Sequence, residues 1–470
     1  MMDLKLCNEE LNRIKKNNPN GYRKEKLSYD GDNNLWPVYK IPIKFLTLNF
    51  YNSRLIAEFR EYAQREGKSV SSLPKDESDK LIKKLILKKY QKRNEITLKD
   101  IAEKGQQKAG VVTSNGIIVS GNRRYTLISE INEKQGKDMK FEAIILPDSY
   151  EDTNKKVLLE LENRLQFDED EKVDYDPIAK YLLISDYFKN YINENELSEE
   201  QVVQRLGNLI KNKQDLNKKY KISQYMEEYL IYTEQDGLWT NLEKTEDLFI
   251  NLTNSLVQFY DDKGTNWDHT HDDVDDYKEI GFDIIRWVYN RDKQNADRNR
   301  FAPKDVRTLY FQKKRTEGSI FRDEKIWKNF KDKYNKSKEE AGISISDIDD
   351  IKSEKGYETS TEAAKYSDKV FSDQIETVMV ETLSETRKKI DYHVGESKPK
   401  EFLAGALDLI DNIIDEDLYY ETYKNSGNKR GVIDFRPEFI KLLKDDSKNL
   451  EDVNHIRIIA EKIKRELDKN

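Results

Sequence analysis

Four consecutive residues in the first third of the chain have the side chains of an anion site: Gly121, Asn122, Arg123 and Arg124. Glycine lets backbone N–H groups approach a ligand closely, and two guanidiniums supply forked donors that match phosphate oxygens. A helix that opens at Tyr125 directs the positive end of its dipole at the same point. This pattern predicts phosphate binding, and the alternative is a tight turn followed by two solvated arginines.

A carboxylate and an amide stand side by side further along the chain, at Glu162 and Asn163. A carboxylate beside an amide suits a hard, oxygen-seeking cation. The alternative interpretation is a solvated helix face, which is what polar pairs on helices usually form.

The segments around the glycine loop indicate a compact α/β unit that positions these groups. Asn115-Gly116 is a strong hairpin signal, and the strand that returns from it leads directly into the loop. Helices are expected over 98–103 and 125–133, and charged helices over 59–92 are expected to break around 69–74. The first strand contains prolines, which place it at a sheet edge. Strands are predicted over 36–43, 110–113, 117–120 and 141–147.

In these features the chain resembles the ParB/sulfiredoxin-like superfamily. The run from Val119 to Ile128 resembles the ParB signature, in which a strand enters a Gly-Glu-Arg-Arg loop followed by a helix. The run from Leu161 to Gln166 resembles the acidic-Asn box of that family, and Asn52-Ser53-Arg54 resembles its early Gln-Pro-Arg segment. The three motifs occur in the family's order.

The resemblance implies a site for CTP or ATP with Mg²⁺. The loop from Gly121 to Arg124 is expected to bind the phosphates together with Arg54. Glu162 is expected to be the catalytic residue, acting through the attacking water. Glu162 and Asn163 are expected to place Mg²⁺, and Asn163 is also expected to contact the nucleotide. The active cysteine of sulfiredoxin has no counterpart here, which argues against that activity.

The rest of the chain has a helical pattern. In ParB proteins a helix-turn-helix follows the nucleotide domain, and Leu197 to Gly207 resembles its first helix and turn, with Ser198 as the N-cap. A later helix is expected over 225–232 with Ser223 as its cap, so 211–221 is interpreted as a loop too long for the standard tight turn. A degenerate unit, used for packing or non-specific contact, is therefore favoured over operator reading. The basic residues expected to contact DNA phosphates are Lys211, Lys213, Lys218 and Lys219.

The predicted fold class is α+β, with a small mixed-sheet N-terminal domain of the ParB/sulfiredoxin type and a large, mostly α-helical remainder. The last helices, expected over 375–390, 401–414 and 453–467, suit docking of a partner protein or of a second copy of the chain. The domains are expected at 1–35 (N-terminal extension), 36–150 (nucleotide-binding domain), 151–240 (helical domain with the degenerate helix-turn-helix), 241–335 (helical domain), 336–367 (linker) and 368–470 (C-terminal helical module).

The composition limits the cellular setting. The net charge is −8, so the chain as a whole is not attracted to DNA phosphates, while binding by a local basic patch stays open. Cys7 is the only cysteine, which leaves no intramolecular disulfide and fits a reducing cytoplasm. No run approaches the ~18–20 apolar residues of a membrane span. The acidic stretch around His269 and His271 is interpreted as a solvated loop rather than a metal site.

The expected function is a ParB-like switch that binds and hydrolyses CTP or ATP and acts on DNA or on a DNA-associated partner. Phage defence and plasmid or mobile-element biology are the settings that fit such a switch. One alternative is a DNA nuclease built on the same fold, because a fold alone does not fix the reaction. The other is an interaction adaptor whose site is catalytically dead.

Overall fold

The structure is a computed structural model of the chain. It describes residues 4–29, 32–149, 161–162, 165, 177–261, 265, 267–291, 303–311 and 320–414, with the backbone alone at 32–33, 208, 303–304 and beyond 390. Its architecture is of the predicted α+β class. A mixed sheet lies near the N-terminus, and helices make up the described part of the chain after it.

The sheet of the described residues has five strands, β1 Arg23–Tyr29, β2 Asp32–Ile41, β3 Gly110–Val112, β4 Ile118–Ser120 and β5 Phe141–Ile145. Their order across the sheet is β1-β2-β5-β3-β4. β3 and β5 are parallel, and the other neighbours are antiparallel. The four strands predicted from the sequence correspond to β2, β3, β4 and β5.

The stretch over 1–35, predicted to be an extension, contributes a helix and an edge strand to the domain instead. The helix is α1, Leu4–Asn17, and β1 pairs with β2 along its whole length. In β1 only Leu27 and Tyr29 are buried, and the other side chains are half-buried or exposed. A strand with one face toward solvent has a largely polar sequence, which is why the composition did not reveal it.

β2 is not the edge strand that its prolines predicted, because it lies between β1 and β5. Pro37 faces Lys24 of β1, whereas pairing with β5 begins only at Val38, opposite Ile144. Since Pro37 lies outside the ladder with β5, its missing N–H removes no hydrogen bond there.

The two faces of the sheet pack on separate groups of apolar side chains, as the alternation of strand residues requires. Val111 and Val119 lie on one face with Leu161, whereas Val112 and Ile118 lie on the other. Helices cover the second face, and two of them are longer than the predicted helices over 98–103 and 125–133. The helices of this domain after α1 are α2 Ile56–Glu66, α3 Lys75–Lys89, α4 Gln91–Lys104 and α5 Asn122–Gln135.

The remaining described elements are helices that enclose a large apolar core around Trp287 and Trp327, both fully buried. None of the described helices is long and apolar enough to cross a membrane. These helices are α6 Pro177–Tyr187, α7 Glu199–Leu206, α8 Lys213–Tyr232, α9 Glu246–Tyr260, α10 His271–Asn290, α11 Pro303–Leu309, α12 Glu324–Glu340, α13 Ile348–Lys355 and α14 Ser360–Ile414.

The stretch over 336–367 is largely helical rather than the predicted linker. It contains the end of α12, all of α13 and the start of α14. α13 buries only Ile348, so its sequence has little apolar periodicity. The helices predicted over 375–390 and 401–414 belong to the single helix α14, and the helix predicted over 453–467 lies outside the described residues.

Candidate functional site

The glycine loop is shorter than predicted, because α5 begins at Asn122 rather than at Tyr125. Gly121 is the N-cap with a φ of 106°, a value that side-chain-bearing residues rarely adopt. A Cβ at this position would lie 2.8 Å from Cζ of Phe141, so both the backbone and the available space require glycine. Asn122 and the two arginines therefore form the first turn of α5, where backbone N–H groups point out of the helix end.

Asn49 connects the glycine loop with Glu162. Its backbone N–H donates to Oδ1 of Asn122 at 3.0 Å, and its side-chain amide donates to the Glu162 carboxylate at 2.9 Å. The backbone N–H of Ser53 donates to the other carboxylate oxygen at 3.2 Å. Glu162 is only 2% exposed. The early motif, the glycine loop and the acidic box therefore meet in one buried, hydrogen-bonded group.

Arg54 lies in the short 3-10 turn Ser53–Leu55. The side chain of Asn52 accepts a hydrogen bond from the N–H of Arg54 at 3.0 Å, and Nζ of Lys89 donates to the Arg54 carbonyl at 3.0 Å. These two bonds fix the backbone that carries the Arg54 side chain.

Arg123 packs on α4. Its Nε donates to Oδ1 of Asn94 at 2.8 Å, and its Nη2 donates to Oγ1 of Thr97 at 2.9 Å. Burial lowers the pKa of Arg123, and the nearby positive charges of Arg54 and Arg93 lower it further. Guanidiniums that repel one another favour an anion between them. Arg54, Arg93 and Arg123 are called the arginine cluster below.

Arg124 is directed to a different part of the domain. Its Nη1 donates to the carbonyls of Lys108 and Ala109, the second at 3.1 Å. Successive residues of an α-helix are rotated by about 100°, so neighbouring side chains face different directions. The structure therefore groups Arg123 with Arg54 and uses Arg124 to hold the segment that precedes β3.

Each carboxylate oxygen of Glu162 accepts a hydrogen bond in this arrangement. To bind Mg²⁺ it must use its remaining lone pairs or lose one of these donors. Within the described ranges, no group of three His, Cys, Asp or Glu side chains could hold a metal ion. Asn163, expected beside Glu162 in the site, lies outside the described residues.

Sequence reasoning missed two residues of this site, Asn49 and Arg93. Asn49 precedes the Asn52-Ser53-Arg54 motif but belongs to no periodic pattern, so only its closeness to that motif could have indicated it. Arg93 closely follows Lys88, Lys89 and Lys92, where one more cation gives no separate signal.

The two helices α7 and α8 form the unit expected to resemble a helix-turn-helix. The predicted cap is confirmed, because the Ser198 hydroxyl accepts a hydrogen bond from the N–H of Gln201 at 3.3 Å in a capping box. Ser223, in contrast, lies inside α8, and its hydroxyl donates to a carbonyl one turn earlier. The stretch interpreted as a long loop is therefore mostly helix, since lysine is a good helix former. The connection between α7 and α8 spans only 207–212.

The four lysines expected to contact DNA differ in their surroundings. Lys213 and Lys219 form ion pairs with acidic side chains of the same unit. Lys211 and Lys218 are exposed, and no ion pair involves them within the described ranges. The cationic surface at the start of α8 is thus smaller than the sequence predicted.

The acidic stretch interpreted as a solvated loop forms the first turns of α10 instead. Thr270 is its N-cap and accepts a hydrogen bond from the N–H of Asp273 at 3.2 Å. The ring of His269 contacts Oγ1 of Thr265 at 3.1 Å and the carbonyl of Phe259 at 2.7 Å. Both ring nitrogens thus have protein partners, which supports a structural role for this histidine.

Comparisons of the chain with models of protein families, with curated proteins and with solved structures found no match. The resemblance to the ParB family therefore depends on the three motifs and their order in the chain.

Proposed function

We propose that the N-terminal domain binds CTP or ATP together with Mg²⁺ and hydrolyses it, and that this changes the protein's contacts with DNA or with a DNA-associated partner. The observation that carries the proposal is the position of Asn49. Its backbone bonds to Asn122 in the glycine loop, and its side chain bonds to Glu162. One residue thus places the proposed catalytic carboxylate next to the loop that would bind the phosphates.

The phosphates of the nucleotide would lie between the arginine cluster and the first turn of α5. The positive charges of Arg54 and Arg93 act on Arg123, so negative charge beside it would be stabilising, and the N-terminal turn of a helix adds N–H donors. Mg²⁺ would neutralise part of the phosphate charge. In this arrangement Arg124 holds the domain together, and Arg54, Arg93 and Arg123 bind the ligand.

The proposed switch requires that Glu162 be released from the early motif so that it can orient water. The early motif continues directly into α2, where Glu61 accepts hydrogen bonds from Thr240, at 2.6 Å, and from Thr361. Thr240 and Thr361 belong to the helical remainder. A shift of the early motif on nucleotide binding would therefore reach the helical remainder through α2, as in other segment-ordering switches.

The DNA contact is assigned to the start of α8. A short connection joins α7 to α8, and the exposed side chains at the start of α8 have the types that contact phosphates and base edges. They are Lys211, just before α8, and Gln214, Asn217 and Lys218 within it, and the amide of Asn217 also donates to Glu199 at 3.3 Å. Replacing Lys218 with alanine should reduce the slope of log K against log salt by about 1 if the residue contacts a phosphate.

Isothermal titration of the full chain with CTP, ATP and GTP, with and without Mg²⁺, tests the proposal. Arg123→Gln should weaken binding of CTP or ATP by about tenfold or more, because a charge-assisted hydrogen bond is lost. Arg13→Gln, at an exposed arginine of α1, is the matched control and should leave binding unchanged. Glu162→Gln should keep binding and lower phosphate release by about a hundredfold. If the unaltered chain binds neither CTP nor ATP, the proposal is wrong.

A further inference from the structure

A cleft opens between the N-terminal domain and the helical remainder and continues into the helical remainder. Its outer chamber, with a volume of about 530 Å³, lies between α2, α3 and the start of α14. Its inner chamber, of about 320 Å³, is lined by α10, α14 and the loop before α9. The chambers share Thr240, Glu243 and Lys365, so they adjoin. Volumes of several hundred Å³ are typical of small-molecule sites.

Four lysine ammonium groups line the outer chamber, of which Lys89 is paired with Glu58 and three are not paired within the described residues. Lys84 and Lys88 lie one turn apart on α3, and Lys365 lies on α14. In the part of the chain that the structure describes, none of the three forms an ion pair or a side-chain hydrogen bond. Like charges one helical turn apart repel each other, and an anion between them removes that repulsion.

Acidic side chains also line the outer chamber, and three of them are held by neighbouring groups. Glu58 forms an ion pair with Lys89 at 2.7 Å. Glu61 accepts hydrogen bonds from the hydroxyls of Thr240 and Thr361. Glu362 accepts a hydrogen bond from the N–H of Thr359 at 3.2 Å. A fourth acidic side chain, Glu243, is exposed where the two chambers adjoin. The three lysines outnumber it and are therefore the cationic groups of this chamber with most capacity for an anionic ligand.

The inner chamber presents hydrogen-bond acceptors instead. Oδ1 of Asn241 is buried and accepts no hydrogen bond from the described residues. The amide of Asn241 donates to Gln235 at 3.0 Å, and Gln235, 1% exposed, donates in turn to the carboxylate of Asp368. These bonds fix Asn241 and Asp368 on the chamber wall. A ligand N–H would complete the hydrogen bonding of Asn241, and a second N–H would add to the carboxylate of Asp368, whose Oδ1 already accepts from Gln235 and from Nε of Arg286.

The loop that lines the inner chamber is strained. Glu234 and Lys244 have φ values of 56° and 78°, in the left-handed region that residues with side chains rarely adopt. Such strain concentrates at ligand sites, where the surrounding structure maintains it. Tyr229, Tyr289 and Ile285 supply the apolar walls of the chamber.

We propose that this cleft is a second ligand site, separate from the arginine cluster, and that it binds a guanine nucleotide. The adjacent ring N–H and amino group of guanine match a carboxylate and an amide oxygen, here Asp368 and Asn241, in a chamber walled by tyrosines. The phosphates extend into the outer chamber between Lys84, Lys88 and Lys365. Cytosine and adenine lack this pair of adjacent donors, so CTP and ATP should bind here less well.

Isothermal titration of the full chain with GTP, guanosine and pyrophosphate tests the site. Lys84→Gln combined with Lys88→Gln should raise the Kd for GTP by about tenfold and leave guanosine binding unchanged. Asn241→Leu should weaken the binding of both GTP and guanosine. Lys80→Gln, at an exposed lysine of the same helix outside the cleft, is the matched control and should change neither.

The outcomes distinguish this inference from the function proposed above. GTP binding that survives Arg123→Gln but weakens with the double lysine variant supports the second site. The second site is ruled out if GTP binding is lost with Arg123→Gln and is unaffected by the double lysine variant. It is also ruled out if the unaltered chain does not bind GTP. CTP or ATP binding at the arginine cluster is judged separately by the Arg123 variant.

Discussion

The side-chain amide of Asn49 donates to the carboxylate of Glu162 at 2.9 Å, across 113 residues of sequence. Asn49 is 1% exposed and Glu162 is 2% exposed, so water does not replace this bond. A residue outside the recognisable motifs thus connects two of them. A buried carboxylate without its donors is costly, which makes this contact a point where stability and the proposed function meet.

Asn49→Ala should lower the free energy of unfolding by about 2 kcal/mol, because it leaves a buried carboxylate with one donor fewer. Urea unfolding followed by circular dichroism measures this change. Asn18→Ala, at an exposed asparagine after α1, should change the value by less than about 0.5 kcal/mol. Equal stability of the two variants would show that the Asn49 amide is not needed to hold Glu162.

Gly121→Ala should destabilise the domain by about 2 kcal/mol or more, because alanine disfavours a φ of 106° and its Cβ would lie 2.8 Å from Phe141. Gly136→Ala is the control, since Gly136 also has a positive φ but a Cβ there meets nothing within 4 Å. Gly136→Ala should lower the free energy of unfolding by only about 1 kcal/mol. Thermal unfolding of both variants measures the difference, and the reverse order would contradict the role given to Phe141.

Asp79 should make stability depend on pH. Burial raises its pKa from 3.8 to about 6, against the opposing effect of the hydrogen bond from the N–H of Leu48. A carboxyl whose pKa is raised by folding binds more protons in the folded state, so its contribution to stability falls as pH rises from about 4 to about 6.

Asp79→Asn keeps an acceptor for Leu48 and removes the titration. The variant should be more stable than the unaltered chain above pH 6, by about 2 kcal/mol, and the two should converge near pH 4. Chemical unfolding across this pH range tests the sign. A variant that loses stability relative to the unaltered chain as pH rises would contradict it.

The buried ion pair between Arg286 and Asp368 should be far more important for stability than an exposed pair nearby. Nε of Arg286 donates to Asp368 at 2.7 Å, and Arg286 is 1% exposed. Asp368→Ala should cost about 3–5 kcal/mol, because it leaves a buried guanidinium without its partner. Asp373→Ala breaks the exposed pair with Lys369 and should cost less than about 1 kcal/mol. Similar losses for both variants in urea unfolding would contradict this difference.

Local sequence signals predicted the centre of the N-terminal domain well. The Asn115-Gly116 hairpin, the strand into Gly121 and the helix after it depend on neighbouring residues alone. The same kind of signal gave a wrong prediction at Ser223, which lies inside α8 rather than at its start. When the preceding lysines are interpreted as a loop, a serine inside a helix cannot be distinguished from one that caps it. The polar strand β1 was missed because only one of its faces is buried.

By itself the sequence determined the α+β class, the strands around the glycine loop and the residue types able to bind phosphate, because apolar periodicity and turn chemistry act over a few neighbouring residues. Only the tertiary structure decided that Asn49 joins Asn122 to Glu162, that Arg123 and Arg124 have different partners, and that Lys84 and Lys365 face one cleft. These relationships join positions that are distant along the chain. They follow from how the helices pack on the sheet, which no short stretch of sequence specifies.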